Sequence, residues 1–77
     1  MKHQTKKIFY KIFGNKIKIN IKSDINNIYN WDSLNHIKLI TEIEKIIKKK
    51  LSITQVLNLT SVKKIDTLLN KNEKKKI

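Results

Sequence analysis

The chain of 77 residues carries a formal net charge of +12 and contains one glycine, no proline and no cysteine. A chain this short forms a single domain with a small core, its lack of turn residues argues against a sheet protein, and its lack of cysteine excludes disulfides, thiol catalysis and thiolate metal sites. No apolar run is long enough to span a membrane, and no apolar segment near the N-terminus suits a secretory signal, so we expect a cytoplasmic protein.

Residues 4–13 predict the first helix, because their apolar side chains fall on one helical face. That face consists of Ile8, Phe9, Ile12 and Phe13. Gly14 and Asn15 follow and predict the end of the helix.

A long loop is predicted next. Residues 16–22 alternate polar and apolar side chains, which is typical of a strand, but the chain contains no second alternating run with which a strand could pair. We therefore expect an extended loop in which Ile17, Ile19 or Ile21 packs onto the helices. Residues 23–27 continue the loop with serine, aspartate and asparagine, which favour turns. A loop of this length in a compact domain is usually functional.

Residues 33–49 predict the longest helix. Asp32 stands at the N-cap position, where its carboxylate accepts hydrogen bonds from the free N–H groups of the first turn. Lysines 48–50 follow at the C-terminus, where positive charge interacts favourably with the helix dipole. The apolar face at three- and four-residue spacing consists of Leu34, Ile37, Leu39, Ile40, Ile43, Ile46 and Ile47.

Two further helices are predicted. Residues 53–57 predict a short helical turn with Ser52 as its N-cap, and residues 62–70 predict a last helix that Ser61 caps. The side chains of the last helix that are expected to enter the core are Val62, Ile65, Leu68 and Leu69.

These elements predict an all-α fold. It is a small four-helix bundle with a long first loop and a short third helix, formed as a single domain by residues 1–77 and expected to be monomeric. Residues 71–77 are predicted to form a frayed basic tail. No internal repeat divides the chain.

The positive charge is unevenly distributed along the chain. Residues 1–22 hold seven lysines and no acid, and residues 48–77 hold nine lysines and two acids, so each segment has a net charge of +7. Residues 23–47 hold four acids and two lysines, a net charge of −2. The segment that contains Ser33 is therefore the least basic part of the chain.

Nucleic-acid binding is the first function that a charge of +12 suggests. All 18 basic residues are lysines, whereas specific binders use arginine to contact phosphate and guanine through two hydrogen bonds. Isoleucine, lysine and asparagine have AT-rich codons and supply 42 of the 77 positions, so genome composition is another source of the lysines. We expect no nucleic-acid partner. The alternative is a small basic helical protein that binds nucleic acid or an anionic membrane surface through its lysine-rich ends and Phe9, Tyr10 and Phe13.

The sequence pattern contains no catalytic machinery. Of the two histidines, His36 follows Ser33 by three residues, but no acid is placed to orient its ring and no oxyanion loop is evident. We predict that His36 lies on the helix surface. Two histidines, no cysteine and scattered carboxylates do not form a metal-ligand pattern, and a chain with one glycine has no phosphate loop. We expect neither catalytic nor metal-binding residues.

Ser33 lies in the first turn of the predicted second helix. Free N–H groups and partial positive charge at this position favour a bound phosphate. Ser33 is therefore a candidate attachment point for a phosphate-linked group rather than a nucleophile activated in place. The simpler interpretation is that Asp32 and Ser33 only cap the helix.

The segment around Ser33 resembles the phosphopantetheine attachment segment of acyl carrier proteins. Residues 31–47, WDSLNHIKLITEIEKII, contain the Asp-Ser-Leu triplet that opens the second of four helices in that family. The matching positions are Asp32, Ser33, Leu34, Ile37, Leu39, Ile40 and Glu44. LTSV at residues 59–62 resembles the family's entry to its last helix, and the resemblance covers nearly the whole chain.

The resemblance implies a carrier protein that is not itself an enzyme. Ser33, flanked by Asp32 and Leu34, would bear a 4′-phosphopantetheine arm whose thiol holds an acyl or aminoacyl group as a thioester. The implied partners are a phosphopantetheinyl transferase and the acyl-transferring or acyl-activating enzymes to which the carrier docks in turn. The residues expected to serve both the core and part of the wall near the arm are Leu34, Ile37, Ile40 and Ile43.

The chain departs from the family in its charge. Carriers are usually strongly acidic, and acids on their second helix meet basic patches on partner enzymes; here Asn35 and Lys38 occupy positions where acids are common. Together with Asp32, two glutamates keep a reduced acidic surface. The residues expected to dock partners are Asn35, Lys38, Glu42 and Glu44.

The residues before the triplet also depart from the usual pattern. Asn30 and Trp31 replace the small residues common in fatty-acid carriers. Tryptophan at this position is more like carriers of specialised or polysaccharide-linked pathways, which we therefore expect rather than housekeeping fatty-acid synthesis. A degenerate carrier that is never modified is a further possibility.

Overall fold

The computed structural model describes residues 1–74, with side chains to residue 71, and this part of the chain contains four helices. The helices are α1 (His3–Phe13), α2 (Ser33–Ile47), α3 (Ile53–Asn58) and α4 (Val62–Lys74). The predicted all-α class, the long first loop and the short third helix are confirmed for residues 1–74, which contain no strand. None of these four helices combines the length and the apolar character needed to cross a bilayer.

The ends of α1 and α2 are set by residues with positive φ. Gly14 follows α1 with φ 93° and donates its N–H to the carbonyl of Tyr10 over 2.9 Å, a conformation that suits glycine because it has no Cβ. α2 ends at Ile47, two residues earlier than predicted. There Lys48 adopts the left-handed conformation, with φ 59°, and donates its N–H to the carbonyl of Glu44.

Serines cap α3 and α4, as predicted. The Ser52 hydroxyl accepts the N–H of Gln55 over 3.1 Å, and the Gln55 side chain accepts the N–H of Ser52 over 3.0 Å, which completes a capping box. The Ser61 hydroxyl accepts the N–H of Lys64 over 3.2 Å. Each cap satisfies backbone donors that have no acceptor inside the helix.

The last helix is longer than predicted. The apolar spacing indicated residues 62–70, but α4 continues through Lys74. Residues 71–74 thus belong to a helix instead of the frayed basic tail predicted for residues 71–77, and residues 75–77 lie outside the described residues.

The core lies between α1, α2 and α4. α3 contributes no buried residue and packs at the edge of the core through the half-buried Val56. Phe9 and Phe13 of α1 pack against Trp31, with ring centroids 5.4 and 5.9 Å away. The buried apolar residues are Ile8, Phe9, Ile28, Trp31, Leu39, Ile40, Ile43, Ile47, Leu59, Val62, Ile65 and Leu69.

The first loop is fixed by pairing with the start of α4. Ile25 donates its N–H to the carbonyl of Thr60, and Val62 donates its N–H to the carbonyl of Ser23, each over 2.9 Å. Ile21 stays exposed. The loop residues that pack into or against the core are Ile17, Ile19, Ile28 and Trp31. The loop therefore enters α2 from a defined position.

Asp66 ties α4 to the start of α1. Its Oδ1 accepts the backbone N–H of Lys2 and the hydroxyl of Thr5, both over 2.7 Å. Desolvation is the largest single influence and raises the pKa of Asp66, but the Thr5 and Lys2 hydrogen bonds and the positive charges of the N-terminus and Lys2 together hold it below its usual value. The carboxylate is therefore ionised where it joins the two helices.

Candidate functional site

The turn before α2 fixes the position of Ser33. Asn30 adopts φ 68°, a left-handed conformation that asparagine tolerates better than most residues. Its carbonyl accepts the backbone N–H of Asp32 and the side-chain amide of Asn35, each over 2.8 Å. Oδ1 of Asp32 accepts the N–H of Asn35 over 2.9 Å, which confirms Asp32 as the N-cap. Ser33 is the first residue of α2, and its side chain is exposed.

Trp31 and His36 join this turn to the core and to α3. The indole of Trp31 is 5% exposed and donates its N–H to Nδ1 of His36 over 3.0 Å. Because Nδ1 accepts, we assign the ring hydrogen to Nε2, which donates to the carbonyl of Val56 over 2.8 Å. The predicted surface position of His36 is therefore wrong. Its half-buried ring bridges the loop and α3, because a buried indole N–H needs an acceptor.

Ser33 has no catalytic partner among the described residues. Both ring nitrogens of His36 are engaged, one by Trp31 and one by Val56. No described residue forms a hydrogen bond with the Ser33 hydroxyl. The described part of the chain also contains no cluster of three side chains able to hold a metal ion. A serine hydroxyl without an adjacent base is a weak nucleophile.

A shallow cleft with a volume of about 400 Å³ opens beside Ser33. It lies between the first loop, the N-terminus of α2 and the end of α3, and its wall combines apolar side chains with the Ser33 hydroxyl. The lining residues are Ile25, Trp31, Asp32, Ser33, His36, Leu57 and Thr60. Two other clefts lie farther along the chain surface, one between α1 and α2 and one among the lysines that follow α2.

Leu34 and Ile37 lie on the outside of α2. Their side chains are 64% and 56% exposed, so the prediction that they serve the core is wrong. Ile40 and Ile43, predicted with them, are buried. α2 has more apolar residues than can face the core at once. Packing against α1 and α4 wholly or partly buries those from Leu39 onward and leaves Leu34 and Ile37 exposed. Leu34 and Ile37 thus form an apolar surface in the two turns that follow Ser33.

Glu42, expected to dock partners, has partners within the chain. Its carboxylate lies 3.0 Å from Nζ of Lys11 in α1 and 3.3 Å from Nζ of Lys45. The hydrogen bond from Lys11 lowers the pKa of Glu42, desolvation opposes this, and the hydrogen bond and charge of Lys45 add to the lowering. Glu42 therefore connects α1 to α2 as an ionised group.

Glu44 is likewise engaged. Its Oε2 accepts the backbone N–H of Leu51 over 2.8 Å, and its Oε1 lies 3.8 Å from Nζ of Lys50. These contacts hold the connection between α2 and α3. The two acids predicted for a docking surface are therefore already paired with lysines of this chain.

Asn35 and Lys38, the other two predicted docking residues, differ from one another. The Asn35 side chain is half-buried and committed to the carbonyl of Asn30. Lys38 is exposed, and no described residue pairs with its charge. Near Ser33, the exposed charges are consequently those of the N-cap Asp32 and of Lys38.

Comparisons with known proteins give no relative for this chain. No protein-family model, no curated protein and no solved structure matches it. Its function is therefore inferred from the Ser33 site.

Proposed function

We propose that the chain is an acyl carrier protein whose Ser33 hydroxyl bears a 4′-phosphopantetheine arm. The observation that carries this proposal is an exposed serine at the first position of α2, next to a cleft of about 400 Å³ and without a catalytic partner among the described residues. The Asp-Ser-Leu triplet at residues 32–34 supports the same assignment. When bound, the arm supplies a thiol that holds an acyl or aminoacyl group as a thioester.

The residues around Ser33 fit a phosphate-linked arm. The hydroxyl is exposed and stands at the positive end of the α2 dipole, where first-turn N–H groups favour an attached phosphate. Asp32 occupies only the N–H of Asn35, so the N–H groups of Ser33 and Leu34 are left for a phosphate. Apolar side chains in the cleft, among them Leu57, offer the arm a partly apolar surface.

The roles of the carrier and its enzymes follow from the lack of a base beside Ser33 among the described residues. A phosphopantetheinyl transferase supplies the base that activates Ser33, and acyl-transferring or acyl-activating enzymes load and unload the arm. The carrier contributes a positioned hydroxyl and a surface to which those enzymes dock in turn. The altered charge of α2, with Lys38 exposed and Glu42 paired, favours partners from a specialised pathway over a standard fatty-acid system.

Intact-mass measurement after co-expression with a broad-specificity phosphopantetheinyl transferase tests this function. We expect the wild-type chain to gain the mass of one phosphopantetheine and Ser33→Ala to gain none. Ser52→Ala, which removes an exposed serine at the start of α3, is the matched control and should be modified like the wild type. Modification that persists in Ser33→Ala contradicts the proposal.

The alternative, a basic helical protein that binds nucleic acid or an anionic membrane surface, is supported by the net charge of +12. This alternative requires exposed aromatic side chains on α1, but Phe9 is fully buried and Phe13 is half-buried against Trp31. Of the three aromatic residues of α1, Tyr10 alone has an exposed side chain. The positive charge and the exposed Tyr10 remain in favour of this alternative.

A further inference from the structure

An exposed apolar surface extends from Ser33 along both α2 and α3. Leu34 and Ile37 contribute from α2, and Ile53 and Leu57, 79% and 69% exposed, contribute from α3. We call this surface, with Ile25 of the first loop, the Ser33 apolar face. Exposed apolar surface of this kind often marks an interaction site on a monomeric protein.

The members of this face are neighbours in the fold. Leu57 and Ile25 line the same cleft as Ser33. Ile37 lies one helical turn after Ser33, and Ile53 lies one turn before Leu57. The hydrogen bond between His36 and the carbonyl of Val56 holds α3 against the first turns of α2. Both helices therefore expose large apolar side chains close to the attachment site, Leu34 and Ile37 on α2 and Leu57 on α3.

The rim of the Ser33 apolar face along α2 is basic. Lys38 and Lys45 are exposed and seven residues apart, so they lie on one side of the helix, and the exposed Lys48 follows the last residue of α2. Glu42 pairs with Lys11 and with Lys45, and Glu44 pairs with Lys50, whereas no described residue pairs with the charge of Lys38 or Lys48. A molecule that approaches α2 from Ser33 towards its C-terminus consequently meets apolar side chains and then positive charge.

We infer that the Ser33 apolar face docks a protein surface that carries apolar side chains ringed by carboxylates. Rim charges of opposite sign speed encounter and select the partner, while apolar contacts supply the affinity. This partner chemistry is the reverse of the basic patches that meet acidic carriers, and its biological meaning rests on the proposed carrier function. The cleft of about 400 Å³ favours a protein over a membrane, because a protruding side chain fills a concavity and a planar bilayer does not.

Two helical amphipathic peptides that share one apolar face test the inference, one with glutamates and the other with lysines on the polar face. Binding to the unmodified full chain is measured by fluorescence polarisation and located by chemical-shift mapping. We expect the glutamate peptide to bind, with shifts concentrated at the Ser33 apolar face, and the lysine peptide not to bind. Ile37→Ser should weaken binding of the glutamate peptide about tenfold, because an apolar contact is lost.

A charge-matched pair of variants separates docking from general attraction to a basic protein. Lys38→Glu and Lys63→Glu change the net charge equally, and both lysines are exposed. We expect Lys38→Glu to weaken binding of the glutamate peptide about fivefold, because an attraction is lost and a repulsion is gained. Lys63→Glu should change the affinity by less than about twofold. Equal losses in the two variants, or shifts spread over other faces, overturn the inference.

Vesicles with anionic headgroups and a short DNA duplex serve as competitors. If either displaces the glutamate peptide from the Ser33 apolar face at physiological salt, the proposed class of partner is wrong. The test needs no arm on Ser33. If the chain binds the peptide but is never modified, the carrier function is wrong and the docking surface stands. If the chain is modified but does not bind the peptide, only the docking surface is wrong.

Discussion

The indole N–H of Trp31 donates to Nδ1 of His36 over 3.0 Å, and this hydrogen bond links the buried end of the first loop to the first turn of α2. The two rings also stack, with centroids 6.1 Å apart. Through Nε2 the same histidine reaches the carbonyl of Val56, so one side chain holds the loop, α2 and α3 around the cleft beside Ser33.

Substitution of His36 by alanine should destabilise the fold. It leaves the buried indole N–H of Trp31 without an acceptor, and the free energy of unfolding should fall by about 1–3 kcal/mol. Urea unfolding followed by the fluorescence of Trp31, the chain's one tryptophan, measures this change. His3→Ala removes an exposed histidine and serves as the control. Equal stability of the two variants would show that the Trp31–His36 bond contributes nothing.

Acid should destabilise the protein through Glu42 and Asp66. The pKa of each is lower in the folded chain than in the unfolded chain, so their stabilisation is fully present above the ordinary carboxyl value of about 4 and is lost as the pH falls through the lowered folded value. We expect the urea midpoint to drop as the pH falls below about 4. In Glu42→Gln the drop should be shallower. A wild-type slope in Glu42→Gln would show that the contacts of Glu42 do not stabilise the fold.

Local chemistry made part of this structure predictable. Asp32, Ser52 and Gly14 act within a few residues of their own positions, so capping rules identified them correctly. Other features depend on neighbours distant in sequence. Glu42 pairs with Lys11 across two helices, which no local pattern indicates.

The errors at the Ser33 site have the same origin. Apolar residues occur on more than one side of α2. Packing against α1 and α4 determines which of them are buried, and Leu34 and Ile37 remain exposed. The hydrogen bond between Trp31 and His36, by contrast, has a signal in the sequence. A tryptophan just before a helix needs an acceptor for its N–H once it is buried, and a histidine five residues later lies within reach.

Lys38→Glu should speed modification or acylation by enzymes from a standard system of acidic carriers. Lys38 lies five residues after Ser33, at about 140° around the helix, and its exposed charge repels a basic patch on such an enzyme. The gain in rate should be largest at low salt, because salt screens exposed charges. Lys63→Glu is the control and should change the rate less. If the rates of Lys38→Glu match those of the wild type at low and high salt, Lys38 is not at the docking surface.

Random duplex DNA should bind weakly to the chain. Lysine contacts to phosphate release counterions, so binding that arises from net charge alone is lost as salt rises. A titration of labelled duplex at several salt concentrations measures this dependence, and a change of DNA sequence should have no effect. Sequence-selective binding that survives physiological salt would instead favour the nucleic-acid function.

Peptide mapping of the co-expressed chain shows whether Ser33 bears the phosphopantetheine arm. Cleavage after Lys22 and Lys38 releases residues 23–38, which contain two hydroxyl side chains of serine, the buried Ser23 and the exposed Ser33. This peptide should carry the mass of one phosphopantetheine, and its fragment ions should place the group on Ser33. An unmodified peptide under conditions that modify a control carrier, or fragment ions that place the group on Ser23, would contradict this assignment.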